Sequence, residues 1–455
     1  MTRAVIFLLL FYKAEVILME QNIYEKKSIP SLILHFSIPA IFSLVVEVMS
    51  SVIDTAFAGH LKSGAVDALT AMGVLSPVLS LYTAIQALFA VSTSIMVAKN
   101  LNHRQRRNEY FIVGLLMTCV TGILVFILSF LGMPRLFSII GAKGQVGILA
   151  EKYLKIQLFS NLFSAMGYTL TSCIRAFGYP VVEMVLTGVS VLMNVIFNII
   201  FVFIFRMGFQ GLAYGTLVSE LVCFVALGVW IVRHKLYPRQ MNITFRKIRA
   251  FSFELFKLGI AQTIIQSLAG CMGVFVNRSL LLYTSSDYIA VWNVVQKIYT
   301  IFLMPIVGIT QGVQTIVAYF SGYQEEIKKK KTLIITIIYT VLYGFIGMGI
   351  VFFFSKTLFV VFTGSKSIYH IGKTVLWIVF STFPLMGIFY TMMTLHEVTG
   401  HEVRAVLLIL TRQVLFLIPL MYVLPMLIPE VPCVIFYAVP IADILAMIIV
   451  VLSIK

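Results

Sequence analysis

The fold class this chain predicts is an all-α polytopic membrane protein, and three observations carry that prediction. Of its 455 residues 60% are hydrophobic, and the mean hydropathy is +1.00. Only 11% are charged, whereas a soluble domain covers its surface with roughly 25%. The apolar residues also fall in long continuous runs, unlike the short alternating strands of an outer-membrane barrel.

A membrane span needs ~20 predominantly apolar residues, and the chain offers twelve such stretches. The first half gives 31–58, 68–98, 110–131, 147–176, 181–205 and 211–232. The second half gives 253–283, 288–320, 333–354, 371–395, 403–427 and 431–454. The segment before them, residues 1–27, reads as peripheral. Its apolar run is short and interrupted by Lys13 and Glu15, so it is neither a good span nor a clean signal peptide. Met19 is an alternative start.

Loop charge sets the expected orientation. Lys99, Arg104, Arg106 and Arg107 follow span two. Arg233, Lys235, Arg239, Arg246, Lys247 and Arg249 follow span six, and Lys328 to Lys331 follow span eight. These loops share one side of an even-numbered bundle, and the opposite loops are poor in Lys and Arg. The positive-inside rule therefore places both termini in the cytoplasm, in a cytoplasmic (inner) membrane. It also accounts for the net charge of +16 without nucleic acid as a partner. Lys328–Lys331 reads as a topology signal that also suits anionic lipid. The five cysteines are scattered and odd in number, and they suggest neither a disulfide framework nor a metal site.

The basic segment 233–250 divides the spans six and six, into lobes at 28–232 and 251–455. At a shift of 220 residues Phe36 meets Phe256, Asp67 meets Asp287, Val97-Ala98 meets Val317-Ala318 and Gly167 meets Gly387. Two halves with an even number of spans share one orientation, which predicts a pseudo-two-fold axis along the membrane normal, as in transporters whose halves rock about a central site. No G-x-x-x-x-G-K-[ST] phosphate cradle occurs. The expectation is secondary transport on an ion gradient, with no cofactor.

The polar residues inside the spans carry the functional expectation. An ionisable group at the centre of a span costs at least ~2.5 kcal/mol and is a functional candidate by default. Span one holds Glu47 and Asp54. They lie seven residues apart on one helix face, about 10 Å from each other along the axis. Asn194 and Asn198 are one turn apart in span five, and Thr216 lies two turns into span six. Asp54, Asn194, Asn198 and Thr216 are therefore expected at one depth. A carboxylate, two amide carbonyls and a hydroxyl form a hard oxygen set suited to Na⁺, or to a proton with hydrogen-bonding partners. Gly211 and Gly215 form a G-x-x-x-G, expected to pack helices closely.

These residues lie in stretches that resemble one family. IPAIFSLVVEVMSSVIDTAFAGHLKSGAVDALTAMG is similar to the opening span of the multidrug and toxic compound extrusion (MATE) transporters. RAFGYPVVEMVLTGVSVLMNVIFNIIFVFIFRMGFQGLAYGT resembles their fifth and sixth spans. QGVQTIVAYFSG resembles the second-lobe counterpart of AVSTSIMVAKNLN. The resemblance covers nearly the whole chain after residue 28. It implies a twelve-helix, two-lobed antiporter that exports organic cations, drugs or toxic metabolites against H⁺ or Na⁺. It also places Asp54, Asn194, Asn198 and Thr216 at the family's first-lobe cation site. Two departures stand out. The family often has an acid where this chain has Asn198, and an uncharged polar residue where it has Glu47. Glu47 is therefore a candidate replacement for the lost acid. Span seven offers only Gln262, Gln266 and Asn277 where some members carry an acid.

Lys297, Arg412 and Asp443 are expected to form a buried polar network in the second lobe, because an unpaired charge there is costly. Tyr82 and Gln86 are candidates for the substrate cleft. His396-Glu397-Val398-Thr399-Gly400-His401 is one residue too long for a zinc-protease H-E-x-x-H, so its histidines do not share a helix face. It reads as a cytoplasmic turn. An alternative function is a lipid-linked oligosaccharide flippase of a related two-lobed fold. Such a cleft needs several cations for the diphosphate, and the first lobe has few. A membrane-embedded enzyme needs a nucleophile–base or His–acid set at one depth, and none is found. The expected protein is a monomeric transporter of small, cationic organic substrates.

Overall fold

The computed structural model describes residues 23–59, 61, 65–140, 144–236, 244–284, 286–360 and 366–453. Residues 1–22 and the middle of the basic connection (237–243) lie outside them, as does the side chain of Asn277. All twelve expected spans are helical. They are α1 (Ile29–Gly59), α2 (Ala65–Lys99), α3 (Arg104–Leu131), α4 (Gly144–Ala176), α5 (Pro180–Ile199) and α6 (Phe209–Arg233), then α7 (Phe245–Tyr283), α8 (Ser286–Gly322) and α9 (Glu326–Val360). The tenth, α10, is broken into Lys366–Phe380 and Phe383–Val398 with a 43° bend between its arms. α11 runs Glu402–Leu410, through a π-helical stretch Thr411–Leu417, into Ile418–Leu427. α12 is Ala438–Ser453, preceded by the 3₁₀ turn Pro432–Tyr437.

Nine helices among the described residues are long and apolar enough to cross a membrane, or ten if α10 counts as one span. The 33-residue α4 and 39-residue α7 are more polar. Both pack against several helices, α4 on α2, α3 and α6, and α7 on α2 and α11, so less of their surface needs to suit lipid.

Each lobe has its own apolar core. One contains Leu75, Leu154, Leu158 and Leu212, and the other Val295, Phe380, Phe383 and Phe436. The repeat is visible in the helix starts. Arg104 and Glu326, Gly144 and Lys366, and Pro180 and Glu402 are each 222 residues apart. Gly178 (φ 96°) and Gly400 (φ 84°) keep that spacing. Each sits in a helix-ending turn closed by the same backbone bond, Tyr179 N to Ile174 O at 3.1 Å and His401 N to His396 O at 3.0 Å. The identities read at 220 are thus two positions out of structural register, while the repeat itself stands.

The lobes meet at the end that carries the basic turns. There a third core joins Phe36 and Val97 to Ile316 and Val317. The contact is close because glycines form it. A Cβ on Gly312 would come within 2.8 Å of the Phe36 backbone, and one on Gly308 within 2.7 Å of Ile41 Cα. Lys247 Nζ meets Glu109 Oε1 at 2.7 Å, and Tyr110 Oη donates to Glu254 Oε2 at 2.6 Å. The short helix Ile23–Lys26 differs from its expected peripheral place. Tyr24 is 3% exposed and stacks on Tyr319 of α8 at 4.3 Å, while its hydroxyl donates to Ala176 O of α4 at 3.1 Å. Burial, with the Tyr319 phenol beside it, pushes the Tyr24 hydroxyl well above the usual phenol range, so it stays a neutral donor.

At the other end the lobes part. Eight residues of α1 are buried, and only Ala58 among them lies beyond Ser43. The side of α1 that meets α8 at Ser37 and Ile41 continues outward as Glu47, Ser51 and Thr55, all exposed, so the molecule is a V open away from its basic end.

Candidate functional site

The first-lobe site is built on α1, α5 and α6, which pack on one another. Asn198 Nδ2 donates to Asp54 Oδ1 at 2.7 Å and to Asn194 Oδ1 at 3.1 Å. Asn194 Nδ2 donates to Thr216 Oγ1 at 3.3 Å, and Ser50 Oγ to Asn194 Oδ1 at 3.5 Å. Asp54, Asn194, Asn198 and Thr216 are therefore one hydrogen-bonded set at one depth. Ser50 joins them, a residue that its sequence context does not distinguish from packing serines.

Local structure holds this set rigidly. Asn198 is fully buried, and the π-helical stretch Ile200–Ile204 begins two residues after it. Such insertions often mark functional sites. The G-x-x-x-G on α6 does what its spacing predicts. A Cβ on Gly215 would collide with Asn198 Oδ1, and one on Gly211 would lie 2.9 Å from Phe201 C. Thr216 is tied back to Leu212 O at 3.0 Å. Asn198 Oδ1 has no hydrogen-bond partner among the described residues, an orphaned acceptor deep in the site. Tyr153 of α4, stacked on Phe209 at 4.7 Å, is near enough to feel the Asp54 charge.

Glu47 stands apart, on an exposed part of α1 one turn nearer the basic end than Ser50. It has company that the sequence reading missed. Glu220 lies one turn beyond Thr216 on the same face of α6 and is close enough to Glu47 for their charges to interact. The available signal was the i, i+4 spacing from Thr216 to an acid inside an apolar span.

Two expectations need correction. Tyr82 and Gln86 do not face the space between the lobes. With Asn161, Thr118 and Gly122 they line a small crevice enclosed by α2, α3 and α4, where Gln86 Nε2 donates to Asn161 Oδ1 at 2.6 Å. Side-chain direction around α2 decided this, and an apolar run shows it poorly. Lys297 does not join the second-lobe network. It is exposed on α8, and among the described residues no hydrogen bond or ion pair joins it to Arg412 or Asp443. The other two do pair. Arg412 Nε donates to Asp443 Oδ1 at 2.7 Å, Thr382 Oγ1 donates to Asp443 Oδ2 at 2.7 Å, and the guanidinium lies 5.7 Å from the Phe389 ring centre. Thr382 sits at the break in α10, and Arg412 lies within the π-helical stretch of α11.

The MatE family model matches the chain twice, at residues 39–200 and 260–423, one copy in each lobe. The chain belongs to the MatE family. These proteins are membrane transporters and not enzymes. The multidrug export protein MepA of Staphylococcus saprophyticus is 23% identical over 405 residues, 88% of each chain. MepA of Staphylococcus aureus is 23% identical over 408 residues at the same coverage. The fold is similar to an outward-facing multidrug resistance MATE transporter, with TM-score 0.86, 19% identity, and 94% and 95% of the two chains covered. It is also similar to a mutant of the Vibrio cholerae MATE transporter VcmN, with TM-score 0.87, 18% identity, and 93% and 96% covered.

Proposed function

We propose that this MatE protein is an exporter of small organic, chiefly cationic molecules from the cytoplasm, driven by cation exchange at Asp54. The observation that carries the reading is the Asp54–Asn198–Asn194–Thr216 set, an acid held by neutral partners in the outer half of a two-lobed bundle. By the positive-inside rule the basic end faces the cytoplasm, which places both termini there and makes the V outward-facing in the cell membrane. The MepA relatives are named for multidrug export, which favours this reading over a lipid-linked oligosaccharide flippase.

The donor pattern favours a proton as the coupling ion. Asn198 turns N–H groups toward both Asp54 and Asn194. A Na⁺ ion there needs oxygens, about six of them by analogy with other hard cations. A proton needs less. When Asp54 is ionised it accepts from Asn198. When Asp54 is protonated it becomes a donor, and the orphaned Asn198 Oδ1 is the acceptor that a turn of the amide brings to it. A one-proton change thus rewrites the bond joining α1 to α5. Because only one acid occupies the set, one monovalent cation neutralises it.

The test is dye efflux from proteoliposomes of purified protein under an imposed ΔpH, then under a Na⁺ gradient. Efflux driven by ΔpH and lost in Asp54→Asn is expected. Efflux that depends on neither gradient overturns the antiport reading, and Na⁺ dependence without proton dependence overturns the choice of ion.

A further inference from the structure

Lys297 is a charge in the outer half of the membrane-spanning helix α8 with no hydrogen bond or ion pair among the described residues, and its position on α8 shows where it faces. It lies eleven residues from Gly308, about three helical turns, so the two share a face. At the closed end that face of α8 packs against Ile41 of α1. Farther out, where the lobes part, the same face carries Lys297 and Asn293 beside Ile301, all exposed, with the half-exposed Thr300 and the exposed Gln296 along its edge. This i, i+3, i+4, i+7 polar stripe does not suit lipid. It is the second lobe's wall of the open cleft.

The first lobe's wall has the opposite sign. Glu47 is eleven residues from Phe36, which packs against Gly312 of α8, and so lies on that same side of α1. The exposed apolar residues of α1, namely Ile38, Phe42, Val45, Met49 and Val52, occupy the opposite side and face lipid. The bonds from Ser50 to Asn194 and from Asn194 to Thr216 set α1 and α6 in register. Glu47 is three residues inward of Ser50, and Glu220 four residues inward of Thr216. The two acids therefore share a layer to within about 2 Å. Neither has a hydrogen-bond partner among the described residues, and Lys297 has none either. With Ile41 opposite Gly308, Glu47 lies ~9 Å and Lys297 ~16 Å beyond that contact, so the lysine is roughly 7 Å farther out.

We propose that Lys297 is a substrate-selecting residue that suits the cleft to amphoteric molecules, which place their cationic group at Glu47 and Glu220 and their anionic group at Lys297. A cleft for simple cations gains nothing from an ammonium on its wall, because that charge repels every such substrate. A molecule carrying both signs gains at both walls, and it bridges the lobes that alternating access must bring together. This rests on the exporter reading above and narrows its substrate class.

The test uses a rhodamine with a free carboxylate and its methyl ester, one molecule amphoteric and the other purely cationic, in the same proteoliposomes. Wild-type protein is expected to transport both and to show the lower KM for the free acid. Lys297→Gln should raise the KM for the free acid about tenfold, the loss of one charged hydrogen bond, and leave the ester within twofold or better. Lys297→Arg should keep the wild-type preference, and Glu47→Gln with Glu220→Gln should weaken both dyes. The inference is overturned if Lys297→Gln shifts both dyes equally or neither, or if the wild type prefers the ester. Gradient-driven transport of the ester alone defeats this inference and spares the exporter reading. Transport of neither dye defeats both.

Discussion

Gly215→Ala tests how the Asp54–Asn198–Asn194–Thr216 set is held together. One methyl group added to α6 falls on Asn198 Oδ1, and its carbon lies within 3.0 Å of Asn198 Cγ and of its backbone N. The backbone cannot yield cheaply, because Gly211 one turn earlier is in equally close contact with Phe201 and Val202. Either α6 moves off α5 or the Asn198 side chain leaves its place. Overpacking of this kind costs about 1–3 kcal/mol. Turning Asn198 away also removes the 2.7 Å bond to Asp54, a charged hydrogen bond of about 1.5–3 kcal/mol. Since 1.4 kcal/mol is roughly a tenfold change, ΔpH-driven transport should fall about tenfold or more, with a measurable drop in the unfolding temperature in detergent. Gly228→Ala on the same helix is the control. It has no atom within 4 Å of the added carbon and should behave as wild type. Equal transport and stability in Gly215→Ala and Gly228→Ala would refute the claim that the Asn198 contact is tight and functional.

Three further outcomes follow from the geometry. Asp443→Asn leaves Arg412 buried without its counter-charge, and the lobe should lose about 3–5 kcal/mol, read as a large fall in thermal stability; Arg412→Met with Asp443→Leu should recover most of it. Gly308→Leu puts a side chain where Ile41 Cα allows none, so it should wedge the basic end open and raise thiol-reagent labelling of a cysteine introduced at Val313, which wild-type packing buries. Glu109→Cys with Lys247→Cys, at positions whose side chains are joined by a 2.7 Å ion pair across the lobes, should stop transport when a bifunctional methanethiosulfonate bridges the two thiols and recover under reductant; transport unaffected by the cross-link would show that the basic end need not open.

The twelve spans, their grouping in two lobes and the Asp54–Asn194–Asn198–Thr216 set were legible because each rests on a one-dimensional signal. Span length is counted, and four polar residues in apolar runs fall at depths that helix rise converts to a common level. Arg412 and Asp443 were legible for a related reason, since buried charges of opposite sign seek each other. What escaped was azimuth. Tyr82 and Gln86 have the right depth and the wrong direction, and Lys297 lies exposed on α8 without a bond to Arg412. Where a run is apolar all round, the pattern does not tell which face meets protein. Glu220 carries only a weak sign in the sequence, its i, i+4 spacing from Thr216 inside an apolar span. The docking of Tyr24 depends on a long-range stack with Tyr319, for which the local sequence carries no sign.

The most direct test of the account is a pH-sensitive dye trapped in proteoliposomes while substrate is moved. The account predicts a proton flux opposite to substrate in wild-type protein, one proton per cycle through the single acid of the set, and no such flux in Asp54→Asn even where the substrate still binds. Undiminished proton-coupled transport in Asp54→Asn would contradict it.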